Sequence, residues 1–460
     1  MPLANTPALP LGGVDALPED ALAELLVEAR RRTHALVEPL SDEQIDRQFS
    51  PLMSPLAWDL GHIAAFADLW VSRTVPSVEP LRPDLFEVYD ATDTPRAGRG
   101  ELPYLRSRDA LAYGAAVLEQ ALAVLGSVDV SEAGDRLNAR GFVWHMIAQH
   151  EHQHNETMVQ AMQLAGGEMP APLGRSLRDA RPGHGNGAAA VGDGTPVDDH
   201  PATVRFPGGR VRVGAPAHGF AYDNERPQHE VELAGFELDA RPVTNGAYRE
   251  WVEAGGYARD DWWSPEGWAW RRREGVERPL YWTADGRERR FDRVAELDGD
   301  VPVTHVSWFE ADAYARAHGK RLPTELEWEA AATWDPAARR KLAFPWGDEA
   351  PVPARANLDL AASGPAPAGA LGAGAAPCGA LGMVGDVWEW TASELRGYPG
   401  FAAFPYREYS EIFFATGLRV LRGGSWATRP STARPTFRNW DLPQRRQLFA
   451  GFRCARDTRA

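Results

Sequence analysis

The chain has 460 residues and a formal net charge of −15. Two or three domains are expected at this length, and the acidic balance argues against a nucleic-acid or anionic-membrane partner. With 44% hydrophobic and 25% charged residues the composition is that of an ordinary globular protein, and no apolar run is long enough to span a bilayer. The opening MPLANTPALPLGGVDALPED lacks the basic start of a secretory signal. Two cysteines, Cys378 and Cys454, cannot form a disulfide framework, and the expectation is a cytoplasmic protein.

In chain order, residues 18–168 read as helical. EDALAELLVEARRRTHALVEPL, SPLAWDLGHIAAFADLWVSRTV, SRDALAYGAAVLEQALAVLG and RGFVWHMIAQHEHQHNETMVQAMQLAGG each repeat apolar residues at three- and four-residue intervals. Four such helices predict a bundle. The connection LRPDLFEVYDATDTPRAGRGELPYL is long and proline-interrupted, a form often taken by functional loops. Residues 169–200 are rich in Pro, Gly and Ala and read as a linker or insertion. From 201 to 457, short β-like runs alternate with Gly/Pro turns, and TNGAYREWVEAGG and SWFEADAYARAHG read as two short helices. This half is expected to be an α+β domain with little regular structure.

Four of the 12 histidines, His145, His150, His152 and His154, fall within ten residues. On a helix turning about 100° per residue, Val143, Ile147, His150, His154, Met158 and Met162 follow one stripe. Two imidazoles therefore stand on an inward face, four residues apart, a common way to offer two ligands to one metal. The pair also fits a half-buried polar patch. HEHQH matches H-E-x-x-H as a string, but nothing after it resembles a protease scaffold. Bundles hold metals between facing helices, and His62 in WDLGHIAAFADLW is the best donor on another helix. His152 should point to solvent. Glu156, about 200° around the helix from His154, is not expected to be a ligand. Gln153 flanks the histidine face and can reach a molecule bound beside a metal.

The second half carries DNERPQHEVEL, RPVTNGAYREWV, RLPTELEWEAAA, FPWGD, GDVWEWTAS, VLRGGSW and GFRCARD in that order. Together they resemble the formylglycine-generating-enzyme-like domain, a variant of the C-type lectin fold. Only Cys454 stands near the end of the chain, so formylglycine formation itself is not expected. The tryptophans of GDVWEW and LRGGSW read as core, and Arg422 with Glu389 as a buried structural pair.

A DinB-like bundle carrying H-x3-H-x-E, fused to this domain, resembles the ergothioneine-type sulfoxide synthases over nearly the whole chain. The resemblance implies an iron(II)- and O2-dependent enzyme that joins sulfur to imidazole C2 of hercynine. Its ligand positions fall on His62, His150 and His154. Its hercynine contacts fall on Gln153, Asn439 and Trp440, and its γ-glutamylcysteine contacts on Arg96, Asp441 and Arg445. It also implies a catalytic tyrosine, for which GYPGFAAFPYREYSEIFF offers Tyr398, Tyr406 and Tyr409, with Tyr406 favoured. LGHIAAFADLW departs from the family's commoner LAHIG-x-x-E-E-L-W pattern. That departure leaves open a selenoneine-synthase-like alternative using a selenosugar donor. An ovothiol-type enzyme and a non-catalytic, metal-binding lectin-like protein are the remoter readings. Monomer and homodimer are both compatible with the sequence.

Overall fold

The computed structural model describes residues 18–172 and 201–458. The greater part of the expected linker, 173–200, lies outside the described residues. The N-terminal part is helical: α1 (Glu19–Val37), the short α2 (Asp42–Asp46), α3 (Leu56–Thr74), α4 (Ser107–Leu125) and α5 (Phe142–Ala165). α1, α3, α4 and α5 pack as a bundle around Leu25, Trp58, Val117, Trp144 and Met158. α5 is preceded by Gly141 at φ 68°, where a Cβ would meet the Leu22 side chain at 2.8 Å, so glycine lets the helix start against α1. Among the described residues no helix is long and apolar enough to cross a membrane.

The remainder is α+β, as expected of a formylglycine-generating-enzyme-like domain. Its strands are β1 (Thr203–Phe206), β2 (Gly209–Val213), β3 (His229–Leu233), β4 (Phe236–Asp239), β5 (Arg287–Arg290), β6 (Arg293–Glu296), β7 (Trp334–Asp335), β8 (Arg340–Lys341), β9 (Trp388–Glu394), β10 (Arg419–Arg422), β11 (Asn439–Asp441), β12 (Ala450–Gly451) and β13 (Ala455–Asp457). One sheet has the order β1-β4-β13 and another β11-β10-β9-β12; β2-β3, β5-β6 and β7-β8 are two-stranded. In the larger sheet β12 runs parallel to β9, and the other pairings are antiparallel. β11 is an edge strand, so Asn439, Trp440 and Asp441 are held by pairing on one side only.

Among the described residues four α-helices accompany these strands: α6 (Asn245–Glu253), α7 (Pro265–Glu274), α8 (Trp308–Ala317) and α9 (Glu325–Thr333). The sequence pattern anticipates α6 and α8 alone. α7 mixes Trp with Arg and shows no apolar stripe, while α9 is buried over eight of its nine residues and so has no polar face to reveal a period. Both carry start signals: Ser264 caps α7 ahead of Pro265, and Thr324 forms a capping box with Glu327 at α9.

The two parts share one continuous apolar core, in which Met158 and Trp144 of the bundle join Trp388, Trp426 and Phe449. A second core beneath β1 and β4 holds Phe206, Phe236, Trp328 and Met383. Trp388, Trp390 and Trp426 are buried, as expected. The expected Arg422–Glu389 pair is corrected. The two face each other in register on β10 and β9, but Arg422 reaches Glu329 on α9 at 2.5 Å and Glu389 takes Arg453 at 2.7 Å. Both carboxylates are buried and paired, each by a partner from outside the strand register.

Candidate metal centre and its surroundings

α3 presents His62 toward the bundle interior. Its Nδ1–H donates to the Tyr89 carbonyl at 2.7 Å, which leaves the Nε2 lone pair facing His150 Nε2 at 3.1 Å. Trp58, one helical turn earlier, stacks on the His62 ring at 4.8 Å. The Tyr89 ring packs on Gly61, where a Cβ would sit 2.1 Å from the phenol oxygen, and that oxygen accepts the Leu105 N–H at 2.9 Å. A missing side chain at 61 thus lets the loop after α3 approach closely enough for its carbonyl to set the His62 tautomer.

His150 and His154 project from α5 as their spacing predicts. The His150 ring stacks on Phe66 at 3.7 Å, and His154 Nδ1 donates to Asp59 Oδ1 at 3.1 Å. Asp59 is 0% exposed. One ring nitrogen from each of His62, His150 and His154 lies within 4.8 Å of the others. Burial holds the His62 and His150 imidazoles well below their ordinary pKa, and the neighbouring His154 lowers both further. Neutral imidazoles are the form that binds a metal, and the bonds to Tyr89 and Asp59 fix the tautomers of His62 and His154, while His150 Nδ1 is buried without a partner.

The second domain walls the cluster. Tyr406 lies edge-on to Phe66 at 6.3 Å and beside Trp70 at 5.2 Å. Tyr409 sits 6.2 Å from Tyr406, stacks on Tyr222 at 4.0 Å and meets Trp440 at 5.8 Å. Burial raises the Tyr222, Tyr406 and Tyr409 phenols above their ordinary pKa, so each keeps its proton at neutral pH. Gln153 on α5 donates to the Tyr222 hydroxyl at 2.7 Å. Asn439 accepts the Trp440 N–H at 2.9 Å. Arg445 Nε is 3.6 Å from Asp441 Oδ1, and burial raises the Asp441 carboxyl against the pull of Arg96 and Arg445. Arg96, Asp441 and Arg445 therefore share one locality.

Tyr398 stands apart from this group. Its hydroxyl faces Glu325 at 3.5 Å and its ring lies under the Arg438 guanidinium at 4.2 Å. The expectation of a solvated His152 is also corrected: the residue is 3% exposed, 3.5 Å from Glu28. The face away from the histidine pair is not a surface, because α1 and Arg429 of the second domain cover it, with Glu28 and Arg429 paired at 2.9 Å. Glu156 is not among the grouped donors. It is buried and accepts from Trp388 Nε1, Ser425 Oγ and Thr428 Oγ1 at 2.7, 2.7 and 2.6 Å. α5 thus turns one side to the histidine cluster and another to the second domain. A cavity of about 400 Å³ lined by Phe220, Leu342, Phe344, Pro430 and Arg434 includes none of the three histidines.

Sequence reasoning missed Asp59, Tyr89 and Tyr222. Asp59 carried a signal, since it precedes His62 by three residues and shares its helix face. Tyr89 acts through its carbonyl and Tyr222 from another domain, and neither contact leaves a trace in local spacing.

Fold and site together define a two-domain protein with a three-histidine centre set in a helical bundle and walled by an α+β domain. Residues 189–458 match the sulfatase-modifying factor enzyme 1-like domain, and residues 25–158 match the DinB superfamily. The hercynine oxygenase of Mycolicibacterium smegmatis is 44% identical over 95% of this chain and 99% of its own length. That of Mycobacterium tuberculosis is 44% identical over the same shares. Among solved structures, that of PvdO from Pseudomonas aeruginosa covers 56% of this chain and 94% of its own, at 23% identity and a TM-score of 0.40. The chain belongs to the hercynine oxygenase family.

Proposed function

We propose that this protein is an iron(II)-dependent oxygenase that joins the sulfur of γ-glutamylcysteine to imidazole C2 of hercynine and oxidises it to the sulfoxide, acting in the cytoplasm. The observation that carries the reading is the grouping of His62, His150 and His154 on two helices, one ring nitrogen from each within 4.8 Å. The donors fit a divalent ion. His62 and His154 spend their Nδ1 protons on Tyr89 and Asp59, so each keeps an Nε2 lone pair for the centre. Three imidazoles leave positions for substrates, as a catalytic site requires. Bound iron(II) supplies activation of O2 and acidification of a coordinated thiol.

The chain's own groups then divide the remaining tasks. Trp440 and Asn439 on the edge strand β11 offer an indole face for a quaternary ammonium and an amide for a carboxylate. Arg96 and Arg445 suit the carboxylates of a γ-glutamyl peptide and Asp441 its amine. For Tyr406 the role is proton donor, supported by a phenol that keeps its proton at neutral pH and by its packing near Phe66, whose ring stacks on His150. Positioning both substrates between the domains replaces a bimolecular encounter with an oriented one. The overall balance is one thiol, one imidazole C–H and one O2 giving the C–S-linked sulfoxide and one water.

The test is a competition. Iron(II)-loaded protein is given hercynine with γ-glutamylcysteine, cysteine and a selenosugar together under O2, and products are identified by mass spectrometry. The hercynyl γ-glutamylcysteine sulfoxide should dominate. A selenium-linked or cysteine-linked product as the main species would replace the donor assignment, and no hercynine-derived product would remove the reading.

A further inference from the structure

Gln153 stands one residue before His154 and three after His150, and its amide is tied on one side only. Its Nε2 reaches the Gln149 carbonyl at 3.3 Å and the Tyr222 hydroxyl at 2.7 Å. A backbone carbonyl can only accept, so the amide orientation is fixed by chemistry: the nitrogen faces Gln149 and Tyr222. Both N–H groups are then engaged. Among the described residues no donor reaches Oε1, and that oxygen is not sealed off by its neighbours.

Tyr222 is itself held from several sides. It is 2% exposed, stacks on Tyr409 at 4.0 Å with a 16° interplanar angle, and meets Phe220 and Phe437 edge-on at 5.1 and 6.0 Å. Its backbone N–H donates to Glu225 Oε1 at 2.9 Å, and Glu225 is locked by Arg434 at 2.7 Å. The ring thus has one place to go, and its hydroxyl is a fixed point from which the second domain reaches into the bundle.

We propose that Tyr222 is a positioning residue that acts through Gln153: the Gln149 carbonyl sets which way round the amide lies, and the Tyr222 hydroxyl holds it in place so that its carbonyl oxygen faces the substrate. The Gln153 position then accepts a hydrogen bond or faces positive charge, and it selects for a substrate that presents an imidazole N–H or a cationic group there and against one that presents a carboxylate. This rests on the hercynine reading above, since hercynine carries both an imidazole N–H and a quaternary ammonium. The interdomain bond also makes substrate recognition depend on docking of the two domains.

The experiment is calorimetric binding of hercynine to the full-length, metal-loaded protein without O2, for wild type, Tyr222→Phe, Gln153→Ala and the double variant. Tyr222→Phe keeps the ring and its stacking and removes only the hydroxyl. Loss of one orienting hydrogen bond is expected to weaken hercynine binding about tenfold. In turnover, KM for hercynine should rise more than kcat falls, and metal affinity should be unchanged. Because Tyr222 acts through Gln153, the double variant should bind no more weakly than Gln153→Ala alone. Wild-type affinity in Tyr222→Phe, or additive losses in the double variant, would overturn the role given to Tyr222 while leaving the hercynine reading standing. Failure of the wild type to bind hercynine would overturn both.

Discussion

Replacing Asp59 tests how the centre is built. Asp59 is 0% exposed, and its Oδ1 accepts the His154 Nδ1–H at 3.1 Å, while Oδ2 is buried with no partner. In Asp59→Asn the side-chain oxygen can still accept, but the bond is no longer charge-assisted. A hydrogen bond to a charged group contributes about 1.5–3 kcal/mol and a neutral one about 0.5–1.5 kcal/mol, so the change costs His154 roughly 1–1.5 kcal/mol as a ligand. That is about a tenfold loss of metal affinity, at the lower end of the roughly 10–100-fold range seen when partners of ligating histidines are altered. Asp59→Ala goes further, because the Nδ1–H is then buried without an acceptor, and a loss approaching about 100-fold is expected. Competition titration of Co(II) or Fe(II) against a chromophoric chelator measures both. The metal-free Asp59→Asn protein should melt no lower than wild type, since a buried charge has been removed. Metal affinity within about twofold of wild type in both variants would refute the claim that Asp59 prepares His154 for a metal.

Three other outcomes follow from the same contacts. Glu156→Ala leaves the Trp388, Ser425 and Thr428 donors buried without an acceptor; a loss of about 3–5 kcal/mol is expected in chemical denaturation, and less than about 1 kcal/mol would contradict the anchoring role. Gly61→Ala places a Cβ 2.1 Å from the Tyr89 phenol oxygen, so the Tyr89 carbonyl must leave His62 and metal affinity should fall about tenfold or more, measured by the same titration. Asp386 is buried, and desolvation pushes its carboxyl from 3.8 to about 6, against the bonds from Ala366 and Asn357. The folded state therefore binds the proton more tightly than the unfolded state, and stability from this group is present below about pH 4 and lost as pH rises through about 6. Asp386→Asn should remove roughly 3 kcal/mol of that pH dependence between about pH 4 and 7, read from urea melts at several pH values. An unchanged profile would show that Asp386 titrates normally.

Parts of this centre are legible in the amino-acid sequence because helical periodicity is a local property. Phase alone selects His150 and His154 from a dense cluster and sets aside Glu156 as a ligand. His62 is the best facing donor, and the family resemblance ties it to the other two. Phase does not tell a solvated face from one covered by another domain, which is why His152 reads wrongly as solvated. The face away from the ligands carries Gln149, His152 and Glu156, polar residues that look like surface and are in fact buried: Arg434 bonds Gln149, Trp388 and Thr428 bond Glu156, and Glu28 of α1, paired with Arg429, covers His152. A polar interdomain seam and a solvated face read alike in sequence. Arg422 and Glu389 differ from expectation for a similar reason: their burial is evident from the motifs, but their partners, Glu329 and Arg453, are set by tertiary packing. Of the second domain's helices, those with an amphipathic period are visible. α9 is hidden by its nearly complete burial, with only its capping signal to mark it.

The central claim is that His62, His150 and His154 hold the metal at which O2 is used. Hercynine-dependent O2 consumption by the iron(II)-loaded protein, with γ-glutamylcysteine present, tests it most directly when each histidine is replaced by alanine in turn. Uptake is predicted in the wild type, with bound iron and uptake lost together in all three variants. Wild-type uptake in any one of them, with iron still bound, would contradict the account.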